Sequence, residues 1–287
     1  MADRHRAGPD GGTGMTTVVE LTQLVQRLRD LPALPSVVLD LISSFGREDV
    51  DVATLAEKMS RDQAMAAKIL RLANSSFYGL PAKVKTVKQA IVVLGLDSAR
   101  ALAVASNIID RFGGAARPTV DVAYFWRHSI ATALCARSLA RHAGLDQDAA
   151  FIGGLLHDIG RLVLAISFPE QYAQVSAEYD DAGLSAVELR VLGVDHERAG
   201  QLLAEAWKFP PPIQRAIGQH HAPAAADLAD IPGVVHVANG LVHALDPNGR
   251  MAGVAAANLG LLPEQLQAVC RETEGQFEEA CRLLMQD

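Results

Sequence analysis

The sequence predicts an all-α protein, and three observations support this fold class. The chain of 287 residues contains 47 alanines, and alanine has the highest intrinsic helix propensity. Aromatic residues, which are enriched in strands, make up only 5% of the chain. Apolar residues recur at helical spacing along most of the sequence, and no segment shows a convincing strand pattern. We therefore expect a fold in which helices pack on helices.

Helix starts and ends can be recognised in the first half of the chain. An apolar stripe at helical spacing follows Pro35 and consists of Val38, Leu41, Ile42 and Phe45. Two pairs match the capping box that opens a helix, namely Ser60 with Gln63 and Thr86 with Gln89. Gly95 is expected to end the second of these helices, because glycine favours the C-cap position. Asp97 is expected to cap the helix that follows.

Composition divides the chain into four segments. Residues 1–16 are polar and glycine-rich, which predicts a disordered leader and makes Met15 a candidate for the true start. Residues 17–112 are predicted to form an N-terminal helical unit. Residues 113–118 combine glycine, alanine and proline, which interrupts helices and predicts a linker. Residues 119–287 are predicted to form a second helical unit, with a C-terminal helix at its end.

Helices of the second unit are expected at 121–143 and 147–166, and from about residues 170, 184, 195, 210, 232 and 263.

Composition also argues against several classes of protein. No uninterrupted apolar run approaches the roughly 18 residues that span a bilayer, and the leader lacks the apolar region of a signal peptide. Cys135, Cys270 and Cys281 include no C-x-x-C pair, which favours reduced thiols over a disulfide framework or a thiolate zinc site. We therefore expect a cytoplasmic protein without membrane association.

Charge gives little support for nucleic-acid binding. The net charge is −7, and it divides into +2 over residues 1–115 and −9 over residues 116–287. The one basic cluster, Lys83, Lys85 and Lys88, is interpreted as a solvated helix face. Phosphate-backbone binding requires a concentration of basic side chains, so nucleic acid is not an expected partner.

A carboxylate is predicted in the interior of the second unit. The helix from Ala149 to Leu164 is apolar on every side except at His157, Asp158 and Arg161, and a helix that is apolar all round is buried. A buried carboxylate cannot stay ionised without a cation or several donors. Asp158 is therefore expected to share a proton, to pair with a base or to hold a metal.

Several other helices carry polar residues on their apolar faces. The inward set consists of His128, His157, Asp158, His196, His220, His221 and Asn239. A single inward histidine is usually a polar core residue, but seven such groups together also fit a metal site. Imidazole and carboxylate ligands suit iron, manganese, nickel or zinc. A carboxylate flanked by histidines could bridge two metal ions and generate a hydroxide for phosphoester attack.

The order of these residues resembles that of the HD-superfamily metal phosphohydrolases. Four further motifs resemble the HD-related output domain, HDOD: Leu31-Pro-Ala-Leu-Pro35, Leu70-Arg-Leu-Ala-Asn-Ser-Ser-Phe-Tyr-Gly79, Ala90-Ile-Val-Val-Leu-Gly-Leu96 and His157-Asp-Ile-Gly-Arg161. The resemblance covers roughly residues 25–222. It implies an all-α fold with a small N-terminal bundle packed on an HD-like bundle. It also implies a role in bacterial signal transduction without catalysis.

Three positions depart from the enzymes of this superfamily. Asn239 stands where HD phosphohydrolases carry an aspartate, so the site has one negative charge fewer and metal occupancy is expected to be weak or partial. The HD-GYP phosphodiesterases follow their double histidine with an acidic, glycine-rich loop, whereas His220 and His221 here lead into an alanine-rich stretch. Arg161 replaces the lysine of HD-GYP enzymes; it could bind a phosphate or carboxylate, or form a structural salt bridge.

Two functions follow from these observations. The first is a regulatory HDOD module that binds a signalling protein or a small ligand such as a nucleotide. The alternative is a metal-dependent phosphohydrolase or nucleotide phosphodiesterase, supported by the near-complete histidine set and by the need of Asp158 for a counter-charge.

Overall fold

The computed structural model describes residues 21–45, 47, 50–75, 83–113, 119–178, 183–245 and 259–285. Within these ranges the chain forms fifteen α-helices and one short 3-10 helix, and no strand, which confirms the all-α prediction. The predicted leader and Met15 lie outside the described residues, as does the predicted linker except for Gly113.

The N-terminal helices are α1 (Leu21–Leu28), α2 (Ser36–Ser43), α3 (Val52–Arg61), α4 (Gln63–Ala73), α5 (Val87–Leu94) and α6 (Leu96–Gly113). The second group comprises α7 (Val122–Ala143), α8 (Gln147–Leu156), α9 (Ile159–Ser167), α10 (Pro169–Glu178), α11 (Leu184–Leu192), α12 (His196–Ala206), α13 (Pro211–Gly218), a 3-10 turn at Ala225–Asp227, α14 (Ile231–Leu245) and α15 (Pro263–Met285). Every helix start expected after residue 167 is found within two residues of its predicted place.

One of the two predicted capping boxes is confirmed and the other is wrong. The Thr86 hydroxyl accepts a hydrogen bond from the backbone N–H of Gln89 at 3.1 Å, and this opens α5. Helix α4 is capped instead by Asp62, whose carboxylate accepts from the Met65 N–H at 3.0 Å. Ser60 lies inside α3 and donates to the Ala56 carbonyl at 2.6 Å. Aspartate and serine are comparable N-caps, but α3 continues through Ser60 to Arg61, so Asp62 occupies the N-cap position of α4.

The predicted cap of α6 is also displaced. Gly95 ends α5 as expected, with a φ of +82° that favours glycine. Its carbonyl then accepts from the Ala99 N–H at 3.2 Å, so α6 begins at Leu96. Asp97 therefore lies in the first turn of α6 and pairs with Arg100 rather than capping the helix.

The second group of helices is built around α7 and the α8–α9 segment. Helix α7 packs against α8, α14 and α15, and α12 packs against α9 and α13. The single helix predicted at 147–166 is in fact two helices, because α8 ends at Leu156 and α9 begins at Ile159. The turn between them consists of His157 and Asp158. Both side chains are buried and face the neighbouring helices.

The α8–α9 segment forms the centre of the second bundle. Over Gln147–Ser167 it is long and apolar enough in composition to cross a membrane, and 89% of its most apolar window is buried inside the protein. Such burial is typical of the core helix of a bundle. The polar turn in its middle is therefore surrounded by protein on most sides.

Helix α6 joins the N-terminal helices to the second bundle. It packs against α2, α4 and α5 on one side and against α7, α8 and α15 on the other. A polar contact crosses this junction, where Arg137 donates to the Ser98 hydroxyl at 2.7 Å and lies 3.5 Å from the Asp148 carboxylate. The buried apolar side chains of both groups belong to one continuous core.

Candidate metal and ligand site

The structure brings all seven predicted residues into one cluster. They come from α7, from the α8–α9 turn, from the start of α12, from the end of α13 and from α14. Two groups within the cluster each offer three ligand atoms within 4.8 Å of one another. The first group is His196, His220 and His221, and the second is His128, His157 and Asp158.

Asp158 lies at the centre of the cluster. One of its carboxylate oxygens, Oδ1, lies 3.3 Å from His220 Nε2, 3.5 Å from His196 Nε2 and 3.7 Å from His157 Nε2. Asp158 is only 7% exposed, which confirms that it is buried. Three imidazole nitrogens from three parts of the chain thus converge on one carboxylate oxygen.

Close backbone contact places His196 next to Asp158. A Cβ atom added at Gly160 would lie 1.9 Å from the His196 carbonyl oxygen and 2.7 Å from the Gly200 nitrogen. Helix α9 can therefore approach α12 this closely only because position 160 has no side chain. The glycine after the His-Asp pair is part of what assembles the site.

Hydrogen bonds fix the orientation of three imidazole rings. His157 Nδ1 lies 2.7 Å from the Gly154 carbonyl, and His220 Nδ1 lies 3.0 Å from the Ile217 carbonyl. His196 Nδ1 lies 2.6 Å from a Glu188 carboxylate oxygen. A carbonyl or carboxylate at Nδ1 keeps the proton there, which leaves the Nε2 lone pair for a cation.

Glu188 is a site residue that the sequence analysis missed. Its side chain is fully buried and accepts hydrogen bonds from both the backbone N–H and the Nδ1–H of His196. The Tyr172 hydroxyl donates to its second oxygen at 3.4 Å. The apolar spacing of Leu184, Val191 and Leu192 around Glu188 was the available signal, because it places this carboxylate on the inward face of α11.

Arg161 links Asp158 to the same network. Its guanidinium donates to the other Asp158 oxygen, Oδ2, at 3.1 Å and also hydrogen-bonds Tyr172. Asp158, Arg161, Tyr172, Glu188 and His196 therefore form one continuous network of polar contacts. Of the two roles predicted for Arg161, the salt bridge is present in this structure.

Burial and neighbouring charges shift the pKa values of these groups in different directions. Burial alone would raise the pKa of Asp158, but His157, His220 and Arg161 outweigh it and hold that pKa well below its usual range. Burial lowers the pKa of His157 far below its ordinary value and that of His128 to about 4. The pKa of His196 is raised despite burial, because Glu188 stabilises its protonated form.

Asn239 contacts the first histidine of the series. Its side-chain oxygen lies 3.0 Å from His128 Nε2, the atom that would otherwise face a metal. His243, one turn further along α14, packs its ring against His128 with 4.7 Å between the ring centroids. The sequence analysis did not assign His243 to the cluster.

A cavity of about 410 Å³ opens on the cluster. Its walls include Asp158, Arg161, His196, His221, Asn239 and His243, together with residues 183–186 at the start of α11. Helix α11 has Gly183 at its N-cap position, no side-chain cap among the described residues and no acidic residue in its first turn. Residues 183–186 therefore bring the start of a helix, where backbone N–H groups lack intrahelical partners, to the cavity wall.

The residues present fit a divalent metal ion. His157 Nε2 is a buried nitrogen with no hydrogen-bond partner among the described residues, and buried polar atoms are rarely left unsatisfied. The histidine and carboxylate donors match those of zinc, iron and manganese sites. Either three-ligand group could hold an ion.

The sequence also matches a known protein family. Residues 31–223 match the family model of the HDOD domain. The chain belongs to the HDOD family. The chain is also similar to a curated relative, an uncharacterized protein of Treponema pallidum (strain Nichols), which is 26% identical over 204 residues. That match covers 69% of this chain and 39% of the relative, so the chain spans about two fifths of the relative's length.

Solved structures share the HDOD fold. A candidate phosphohydrolase of Shewanella amazonensis SB2B is 29% identical with a TM-score of 0.76, over 91% of this chain and 98% of that one. A candidate signal transduction protein of Marinobacter aquaeolei VT8 is 25% identical with a TM-score of 0.73. The match covers 92% of this chain and 65% of that one. An HDOD domain protein of unknown function from Geobacter sulfurreducens is 22% identical with a TM-score of 0.75, over 92% of this chain and 98% of that one. This likeness shows the fold alone.

Proposed function

We propose that this HDOD protein is a cytoplasmic regulatory module that binds a small phosphorylated ligand, such as a nucleotide, and signals to a partner protein without hydrolysing the ligand. The observation that carries the proposal is the cavity beside the histidine cluster, which combines Arg161 with the uncapped start of α11.

Both features of this cavity attract anions. Arg161 lies on the cavity wall and offers a planar set of donors that matches phosphate oxygens. The start of a helix carries a partial positive charge and free N–H groups, which stabilise a bound phosphate.

Asn239 supports binding over hydrolysis. An aspartate at this position would add a negative charge beside an incoming phosphate and would strengthen a metal site. The amide adds no charge, and it contacts His128 Nε2 at 3.0 Å. A neutral residue at position 239 thus favours binding of an anion and lowers the affinity for the metal ion that hydrolysis would require.

Metal-dependent phosphoester hydrolysis is the second candidate. Two three-ligand groups meet near Asp158, and the Shewanella amazonensis structure described above is named as a candidate phosphohydrolase. A bound metal ion would supply a Lewis acid and an activated hydroxide. His128, His157, Asp158, His196, His220 and His221 would hold it.

Calorimetric titration of the full chain tests the binding proposal. The probes are nucleoside monophosphates and diphosphates, cyclic dinucleotides and inorganic phosphate, each in metal-free buffer. We expect at least one nucleotide class to bind, and Arg161→Ala to weaken it by about 10-fold or more, because a hydrogen bond to a charged group contributes about 1.5–3 kcal/mol. Arg161→Lys should retain part of the affinity.

The matched control is Arg190→Ala. Arg190 is exposed on α11 and pairs with Glu178 outside the cavity, so its loss should leave nucleotide affinity unchanged. If no phosphorylated probe binds, or if the Arg161 and Arg190 variants lose affinity equally, the proposal is wrong.

A further inference from the structure

A second cavity, of about 260 Å³, lies between α7, α14 and α15. Its surface is almost entirely apolar and includes the side chains of Tyr124, Val242 and Phe277. Pockets that hold a whole small molecule typically measure about 300–1,000 Å³, so this apolar cavity is large enough for only a part of one. The part that it fits is uncharged and apolar.

The apolar cavity adjoins the cavity that has Arg161 and the start of α11 at its wall, which we call the phosphate cavity. His243 lines both cavities. Its ring packs against that of His128 in the apolar cavity, with 4.7 Å between the centroids. His128 in turn lies 3.0 Å from Asn239, which lines the phosphate cavity. One layer of side chains therefore separates the two cavities, and a ligand that passes over His243 contacts both.

The two cavities differ in their attraction for a phosphate. Each has an arginine that is already paired with a carboxylate. The start of α11 at the phosphate cavity has no side-chain cap among the described residues, whereas the start of α7 at the apolar cavity is capped by Asp121. Glu274 adds a further negative charge to the apolar cavity. A phosphate is therefore more stable in the phosphate cavity, which leaves the apolar cavity for another part of the same ligand.

Flat groups line the apolar cavity. The Arg127 guanidinium lies over the Phe277 ring, 4.7 Å from its centroid. The rings of Tyr124, His128 and His243 line the same cavity, and Tyr124 is 55% exposed. Aromatic rings and arginine planes are the surfaces on which nucleobases stack in proteins. A purine has two fused rings and covers more apolar surface than a pyrimidine, so burial favours a purine.

We propose that the apolar cavity binds the base of a purine nucleotide whose phosphate lies in the phosphate cavity, with the ribose passing over His243. The proposal rests on the proposed function, because it takes the ligand to be a nucleotide. It gives α14 and α15 the task of selecting the base. Both helices follow residues 31–223, the part of the chain that matches the HDOD domain.

Calorimetric titration of the full chain in metal-free buffer tests the proposal with probes that carry the phosphate, the base or both. The probes are adenosine and guanosine monophosphate, uridine monophosphate, ribose 5-phosphate and adenosine. We expect a purine monophosphate to bind about 10-fold or more tightly than ribose 5-phosphate, because the stacked base adds to the affinity. Uridine monophosphate should have an intermediate affinity.

The decisive variant fills the apolar cavity. Ala131 of α7 lines it, and Ala131→Phe places a ring where the base would lie. We expect this variant to bind ribose 5-phosphate like the wild type and to lose the additional affinity for purine monophosphates. The matched control is Ala123→Phe, which adds the same side chain at an exposed position of α7 outside the cavity and should retain that additional affinity.

A second variant removes a stacking surface instead of filling the space. Phe277→Ala should weaken purine binding by about 5-fold or more and leave ribose 5-phosphate binding unchanged. Circular dichroism and thermal unfolding show whether each variant is folded.

Equal affinities for purine monophosphates and ribose 5-phosphate would overturn this proposal and leave the proposed function standing. A purine preference that Ala131→Phe retains as fully as Ala123→Phe does would also overturn it, because the base would then lie elsewhere. Adenosine that binds the wild type but not Ala131→Phe, with no gain from a phosphate, would support the base cavity and count against the proposed function alone. Absence of binding by every probe would overturn both.

Discussion

At the scale of single residues, Asp158 organises the site. Three imidazole nitrogens and one guanidinium approach its two oxygens within 3.1–3.7 Å. Its depressed pKa arises although burial opposes ionisation, because His157, His220 and Arg161 outweigh that penalty. The carboxylate therefore balances positive charges that would otherwise be buried without a partner.

Removal of this carboxylate should be costly to the fold. Asp158→Ala leaves Arg161 without the carboxylate with which it forms a salt bridge, and loss of one partner from a buried pair costs about 3–5 kcal/mol. The control is Asp146→Ala, which removes the N-cap of α8 and should cost about 1 kcal/mol. The free energy of unfolding in urea measures both; equal, small losses would contradict the role assigned to Asp158.

The sequence predicted which residues point inward but could not predict which of them touch. The inward positions follow from helical periodicity, so His128, His196 and Asn239 could be placed before any coordinates. Their contacts depend on how α7, α12 and α14 pack, which periodicity does not encode. The bond between Asn239 and His128 is such a contact. Glu188 was missed because a single charged residue in a short helix is normally solvated.

At the scale of helices, the interruption between α8 and α9 creates the site. Apolar residues continue on both sides of the turn, so the sequence pattern predicts one helix where the structure has two. Long-range contacts stabilise the break, since the Asp158 carboxylate contacts His196 of α12 and His220 just after α13. Local propensity contains no signal for such contacts.

A second prediction concerns the close packing of α9 on α12. In Gly160→Ala the new Cβ would meet the His196 backbone at 1.9 Å, so α9 must shift away from α12. Overpacking that forces a backbone shift typically costs about 1–3 kcal/mol. Gly275→Ala on α15 is the control, because nothing lies within 4 Å of its Cβ and the change should stabilise by about 0.5–1 kcal/mol.

Thermal and urea unfolding compare the two glycine variants. Opposite signs of the change in unfolding free energy are expected. If Gly160→Ala is as stable as the wild type, α9 and α12 do not pack as closely as described, and their close contact does not explain the position of His196 beside Asp158.

At the scale of the whole molecule, α6 couples the N-terminal helices to the bundle that contains the site. It contacts α2, α4 and α5 as well as α7, α8 and α15. Arg137 strengthens this junction through Ser98 and the partly buried Asp148. The predicted division at 113–118 therefore separates two parts of the chain whose cores adjoin.

Limited proteolysis tests this organisation. We expect early cleavage within residues 1–16 and then near 113–118, where glycine and proline disfavour helix, and protection of the buried segment 149–164. After cleavage at 113–118 the two fragments should elute together on size exclusion, because the α6 contacts remain. Early cleavage inside 149–164, or separation of the fragments in native buffer, would contradict the packing described.

The central claim is that this HDOD protein binds its ligand without hydrolysing it. The most direct measurement is product analysis by chromatography after incubating the zinc-, manganese- or iron-loaded wild type with cyclic dinucleotides and phosphomonoesters, beside the Asp158→Asn variant. We expect no turnover above that of Asp158→Asn with any of these metals. Turnover by the wild type that disappears in Asp158→Asn would contradict it and establish the protein as a metal-dependent phosphohydrolase.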